Sequence, residues 1–224
     1  MRLEFTLETA QGSRILQADI GQLIVAGYAG RDRAAIEHHI EELAALGVPR
    51  PSAVPLYYRV AANQLTQDST VQVVGGESSG EAEAFVFAVE GELYLSVASD
   101  HTDRKLESHS VALSKQLCVK PVARAAWPLA EVADYWDELR LASRIVENGA
   151  EIAYQDGTLA SLRTAADLIA GYGGLPDGSA MLCGTVAVIG AIRPSAVFEM
   201  SLRDPRRNRV ILHRYTLDKL PEMA

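Results

Sequence analysis

Cysteine is scarce in this sequence. Its two cysteines, Cys118 and Cys183, lie far apart and form no CxxC pair, so no disulfide framework can be built and a reducing cytoplasm suits the chain. Positive charge is also in short supply: 21 Lys and Arg stand against 29 Asp and Glu, giving a formal charge of −8 and a pI near 5.2. Such a chain has no basic field to collect nucleic acid or an anionic membrane. The local run RDPRRNR (203–209) is short and reads as a solvated turn. No apolar stretch approaches the roughly 20 residues of a membrane helix. The first residues, MRLEFTLETAQGS, alternate apolar and polar side chains and contain no signal-peptide core. Walker, GxGxxG, GxSxG and HExxH patterns are all missing, which removes the common phosphate loops, the serine nucleophile elbow and zinc peptidase chemistry. The expectation is a soluble, cytoplasmic, globular protein with one domain over residues 1–224.

What is present is mostly strand. LEFTLE, ILQADIGQLIVAGYA, PLYYRV, STVQVVGG, EAEAFVFAVEG and ELYLSVAS are short, rich in β-branched or aromatic residues, and punctuated by glycine and polar residues. SAMLCGTVAVIG, AVFEMSLRDP and NRVILHRYTL continue the pattern at the other end. Helices interrupt it. In DRAAIEHHIEELAALG (32–47) the apolar positions Ile36, Ile40, Leu43 and Leu46 recur at helical spacing, with Asp32 to cap the start and Gly47 the stop. A second helix is expected over 128–146 and a shorter one over 161–171. The class is α+β with a strand-rich core.

Candidate chemistry gathers in a few places. Glu81 and Glu83 are two apart in a strand and so share a face with Phe85, while Ala82 and Ala84 point the other way. An isolated pair of this kind is most often a solvent-facing edge. Asp100 ends the next strand of a hairpin turned by VEGE (89–92), and three carboxylates with waters suit a hard octahedral cation such as Mg²⁺. Spacing alone does not show whether the hairpin register brings Asp100 beside the glutamates. On the first helix, His38 with Glu41 and His39 with Glu42 are i,i+3 pairs in which the glutamate can orient an imidazole general base, or which can form a solvated face. Lys115 and Arg104 would complement an anionic substrate if they point inward. Cys118 has no positioned base and needs no catalytic role.

Taken in order, these segments resemble the catalytic domain of the fumarylacetoacetate hydrolase superfamily. IVAGYAGRDRAAIEHHIEELAALGVPRPSAVPLYYR is similar to its glycine- and tyrosine-containing strand end, its short H-x-x-E helix and the proline-bounded strand that follows. GEAEAF resembles its E-x-E strand, and SDHTDR its N-D-x-S-A-R-D stretch. SKQLCVKPVA is similar to the G-K-S-F segment and the S/C-P-x-V after it, and LIAGYGGLPDGSAMLCGTVAVIG to the closing L-x-P-G-D-x-I-x-T-G-T-P motif. The five matches run in the family's order across about residues 24–190.

The resemblance implies a mixed β-sandwich roll with a few inserted helices, commonly paired as a homodimer. Glu81, Glu83 and Asp100 would hold a divalent metal, usually Mg²⁺, with Mn²⁺ or Ca²⁺ as alternatives. Lys115 would stabilise an enolate or bind a carboxylate, and His39 with Glu42 would activate water or move a proton, with His38 and Glu41 as the other register. Tyr28, Arg104, Gly184 and Thr185 would contact the substrate. The implied activity is hydrolysis, C–C cleavage or decarboxylation of a small β-oxo or diketo acid, acylpyruvate-like or oxaloacetate-like. Enol–keto isomerisation of a dienedioate, or metal binding without catalysis, are the alternatives. The interval from Glu83 to Asp100 is short for the family, so the helix that usually connects them is expected to be trimmed. His101 and Asp103 are expected in solvent or behind the ligands.

Overall fold

The structure, a computed structural model, describes residues 1–45 and 48–223, with only the backbone for His39, Glu42 and Leu43. In chain order the main strands begin with β1 (Arg2–Thr9), β2 (Gly12–Asp19), β3 (Gln22–Gly27) and β4 (Leu56–Val60). Next come β5 (Thr70–Val74), β6 (Ala82–Val89), β7 (Glu92–Ser99) and β8 (Ala125–Pro128). The chain finishes with β9 (Arg140–Glu147), β10 (Ala150–Thr158), β11 (Ser179–Thr185), β12 (Val197–Asp204) and β13 (Arg209–Leu220). Four α-helices are inserted among the described residues: α1 (Arg33–Ala45), α2 (Arg104–Glu107), α3 (Val111–Leu117) and α4 (Ala165–Tyr172).

The strands form a mixed eight-stranded sheet in the order β2-β1-β8-β7-β6-β11-β3-β4 and a five-stranded sheet in the order β10-β9-β12-β13-β5. Period-two alternation decides what each face does. Ala84 and Val86 of β6, with Leu95 and Val97 of β7, pack against Leu141, Phe198, Met200 and Tyr215 of the smaller sheet. The intervening residues, Phe85, Phe87 and Ala98, join a second core with Leu3, Phe5 and Leu7, over which the large sheet curls. Phe5 and Phe87 stack there with ring centroids 4.4 Å apart. Glu83 therefore lies on the inner face of the roll, the face it shares with Phe85.

Local sequence explains the helix ends. Asp32 starts α1 by accepting from the Ala34 amide at 2.9 Å and the Ala35 amide at 3.2 Å. The Gly47 stop lies outside the described residues. Thr164 caps α4 by accepting from the Asp167 amide, and Gly173 closes it in the left-handed region at φ 97°. The shorter helix expected over 161–171 is thus present in its second half.

The helix expected over 128–146 is not formed. Leu129–Glu131 and Ala133–Glu138 are short 3₁₀ turns broken at Tyr135, and Arg140–Glu147 is strand β9. Leu141, Ser143 and Ile145 are buried in alternation, and β9 has antiparallel neighbours on both sides. Ladder pairing along two edges makes 140–147 a strand, and Leu129, Val132 and Trp136 are buried from the 3₁₀ turns before it. The segment ILQADIGQLIVAGYA divides into two strands at Ile20 and Gly21.

Candidate metal centre

A two-residue turn sets the site. Glu90 (φ 54°) and Gly91 (φ 78°) are both in the left-handed region, as a tight hairpin turn with the twist of its strands requires. This pairs Val89 with Glu92 and, at the far end, Ala82 with Ser99. One residue further, the Asp100 amide donates to the Glu81 carbonyl at 2.9 Å. Asp100 thus stands opposite Glu81 and on the face of Glu83. Ligand atoms of Glu81, Glu83 and Asp100 lie within 4.8 Å of one another. No helix separates β6 from β7, in keeping with the short interval in the sequence.

Each carboxylate has its own environment. Asp100 is fully buried and paired to Lys115 Nζ through Oδ2, with Lys120 Nζ 3.1 Å from Oδ1. Burial pushes its pKa upward, but the two ammonium groups outweigh this and hold it at about 2. Glu81 faces Arg104 Nη2 at 3.0 Å. Glu83 is buried and accepts from the Gly184 amide at 2.7 Å. Burial, and then the charges of Asp100 and Glu81, push its pKa well above the usual carboxylate range against the weaker pull of Lys115 and Gly184.

The cations are placed by short local elements. Asp103 caps α2 by accepting from the Leu106 amide at 2.8 Å, and Arg104 follows it. Arg104 then donates through Nε to Ser79 at 2.7 Å and through Nη1 to Glu107 at 3.0 Å. Its pKa is raised: burial opposes the charge, and Glu81 and Glu107 more than offset it. Ser110 caps α3, whose buried Lys115 has its pKa raised by Asp100 and Glu81 against burial. Lys120, fully buried, also donates to the His101 carbonyl at 2.5 Å, and burial lowers its pKa.

These groups open into a cavity of about 880 Å³, within the range of small-molecule sites. Tyr28, Arg104, Lys115, Gly184, Thr185 and the three carboxylates all line it. His38 also lines it, while Glu41 is exposed. The side chains of His39 and Glu42, the pair assigned to proton transfer, lie outside the described residues. Gly184 and Thr185 are engaged within the protein at this wall. The Gly184 amide orients Glu83, and the Thr185 hydroxyl donates to the Ala82 carbonyl at 2.7 Å while accepting from Gln155 at 2.6 Å. Both sit in a bulge where β11 changes register against β6.

His101 and Asp103 are not in solvent. His101 is buried, 2.9 Å from Tyr215 and 3.0 Å from Ser78, and burial lowers its pKa to about 3. Sequence reasoning missed Lys120, Glu107, Tyr58 and Gln155. Tyr58 places its ring 5.8 Å from Lys115 Nζ, and burial pushes its phenol up to about 12. The basic run at 203–209 is a paired turn: Arg206 meets Glu138, Arg207 meets Glu131, and Arg209 meets Asp204 and lies over Trp127.

The residues fit a hard divalent cation. The donors are all carboxylate oxygens, Asp100 Oδ1 is buried without an aligned hydrogen bond, and Glu83 has no ammonium or guanidinium partner in the described contacts. Zinc, which favours Cys and His, fits poorly.

The fold is that of fumarylacetoacetate hydrolase family proteins. A yeast member, ynq8, matches with TM-score 0.65 and 14% identity over 92% of this chain and 96% of its own. Cg1458 matches with TM-score 0.66 and 11% identity over 94% and 81%. A 2-keto-3-deoxy-D-arabinonate dehydratase, complexed with magnesium and 2,5-dioxopentanoate, matches with TM-score 0.64 and 15% identity over 94% and 78%. At these identities the likeness is one of fold. Residues 26–215 match the model of DUF2848, a family of unknown function, and the chain belongs to that family. No curated protein matches the sequence. No helix among the described residues is long and apolar enough to cross a membrane.

Proposed function

We propose that this protein is a divalent-metal-dependent enzyme that acts on a small oxo acid, cleaving a C–C bond by hydrolysis or decarboxylation. The observation that carries the reading is the convergence of Glu81, Glu83 and Asp100 at the wall of one cavity. In this reading the three carboxylates hold Mg²⁺, or Mn²⁺ or Ca²⁺ in its place. The ion, when bound, supplies Lewis acidity toward the oxo group of the substrate. The similarity of the fold to a dehydratase complexed with magnesium and an oxo acid supports the same class of chemistry.

The chain's own residues have defined tasks. Lys115, buried and permanently charged, donates to negative charge that develops on the substrate oxygen. Arg104 holds Glu81 in place, and Lys120 does the same for Asp100. The Gly184 amide fixes the rotamer of Glu83. Proton transfer belongs to an imidazole of α1, and His38 is the one at the cavity wall among the described residues. Tyr28 and Tyr58, both phenols with pKa values raised chiefly by burial, keep their protons and offer hydrogen bonds.

The test is a turnover screen of β-oxo and acylpyruvate acids with Mg²⁺ or Mn²⁺, followed by mass spectrometry of the products. Two fragments that appear with wild type and vanish with Glu81→Ala support cleavage. A product of unchanged mass shows isomerisation instead, and full activity in Glu81→Ala contradicts the metal-centred reading.

A further inference from the structure

Away from the carboxylates the cavity changes character. Ile36 of α1, Val111 of α3, Leu162, and Val186, Val188 and Ile192 beyond β11 line its remaining walls. Arg31 and Asp32 stand beside Ile36 and Leu162, and Arg31 is paired outward with Asp137. Among the described lining residues are five acids, Asp32, Glu81, Glu83, Asp100 and Glu107, and three permanent cations, Arg31, Arg104 and Lys115. Each cation already faces a carboxylate: Arg31 that of Asp137, Arg104 those of Glu81 and Glu107, and Lys115 that of Asp100. A bound dication would balance the excess acid at the head of the site and leave no surplus positive charge for a second anionic group.

Resting on the function proposed above, we infer that the substrate is a monocarboxylic oxo acid with an uncharged, apolar tail. The oxo-acid head meets the carboxylate cluster and Lys115, and the tail packs between Ile36, Leu162, Val186 and Val188. A distal carboxylate in that position would lose its hydration, meet aliphatic walls and find every described lining arginine and lysine already paired with a carboxylate. Of the acylpyruvate-like and oxaloacetate-like classes, the first fits this cavity. Its volume of about 880 Å³ also leaves ample room beyond a four-carbon diacid.

The experiment uses unreactive 2-oxo acids as probes, by calorimetry on the full chain loaded with Mn²⁺. Pyruvate, 2-oxobutanoate and 2-oxohexanoate form a tail series, and 2-oxoadipate matches 2-oxohexanoate in length but carries a distal carboxylate. Affinity is expected to rise about threefold to fourfold per buried methylene, with 2-oxoadipate at least tenfold weaker than 2-oxohexanoate. Val188→Arg should reverse that order, and Ile192→Arg, at a position 41% exposed, serves if the first variant does not fold. Equal or tighter binding of 2-oxoadipate, or affinity that is flat along the series, overturns the tail assignment while leaving the metal-centred head intact. If no 2-oxo acid binds, or binding persists in Glu83→Gln, both the tail assignment and the function it rests on are overturned.

Discussion

Asp100 shows how a carboxylate with no exposure keeps its charge: two lysines, from α3 and from just beyond it, face its two oxygens. Its neighbour His101 solves the opposite problem by staying neutral between Tyr215 and Ser78. A histidine in an unfolded chain titrates near 6.5, whereas this one is held at about 3. Below pH 6.5 the unfolded state takes up a proton that the fold refuses, so stability falls as the solution is acidified and the loss is complete only near pH 3. Urea unfolding of the metal-free protein at pH 6.5 and 5 should therefore show His101→Gln losing about 2 kcal/mol less than wild type. An equal loss in both would place the imidazole in contact with solvent. Gly184 is a second sensitive position. At φ 89° an added Cβ would lie 2.6 Å from that of Ala29, so Gly184→Ala should cost at least about 1–2 kcal/mol and disturb Glu83, read as a lower Tm and weaker metal binding. The shared face of Glu81 and Glu83 was legible from period-two spacing alone. Lys120 was not, because a single lysine in CVKPV carries no spacing signal and its burial depends on where Asp100 arrives.

At the scale of elements, the site is a junction between sheets. Gln155 of β10, fully buried, accepts from the Ala82 amide at 3.0 Å and from Ser143 at 2.7 Å, and donates to Thr185 and to the Val186 carbonyl. It ties the strand between the two glutamates to the bulge that orients Glu83. Gln155→Leu leaves these partners unsatisfied in the interior, at a cost of about 3 kcal/mol, and should also weaken Mn²⁺ binding by loosening Ala82. Unchanged affinity in a folded variant would confine Gln155 to a role in stability. The hairpin turn Glu90–Gly91 is what a sequence reader needs in order to place Asp100, since spacing without a turn type leaves the register open. The segment 128–146 shows the limit of periodicity: its apolar spacing fits a helix, and of the two strands that make it β9, β12 is distant in sequence while β10 follows directly after the Asn148–Gly149 turn. Helices as short as α2 and α3 span too few turns to leave a period.

The whole molecule is a large sheet with a core on each face, and the cavity lies where the inner face opens. Phe87 belongs to the core inside the roll, stacked on Phe5 and near Tyr94, and Phe87→Ala should cost about 3–5 kcal/mol by chemical denaturation. The roll was legible through likeness to a known family, but the order of strands was not, since long-range pairings such as β11 beside β3 have no local signature. The central claim is the metal centre, and calorimetric titration of Mg²⁺ and Mn²⁺ into wild type and Glu83→Gln tests it most directly. If the three carboxylates form that centre, wild type binds one ion per chain and the folded variant shows at least a hundredfold loss. Equal binding by both proteins, or none by folded wild type, would contradict it and leave the three carboxylates as a buried charge network held together by Arg104, Lys115 and Lys120.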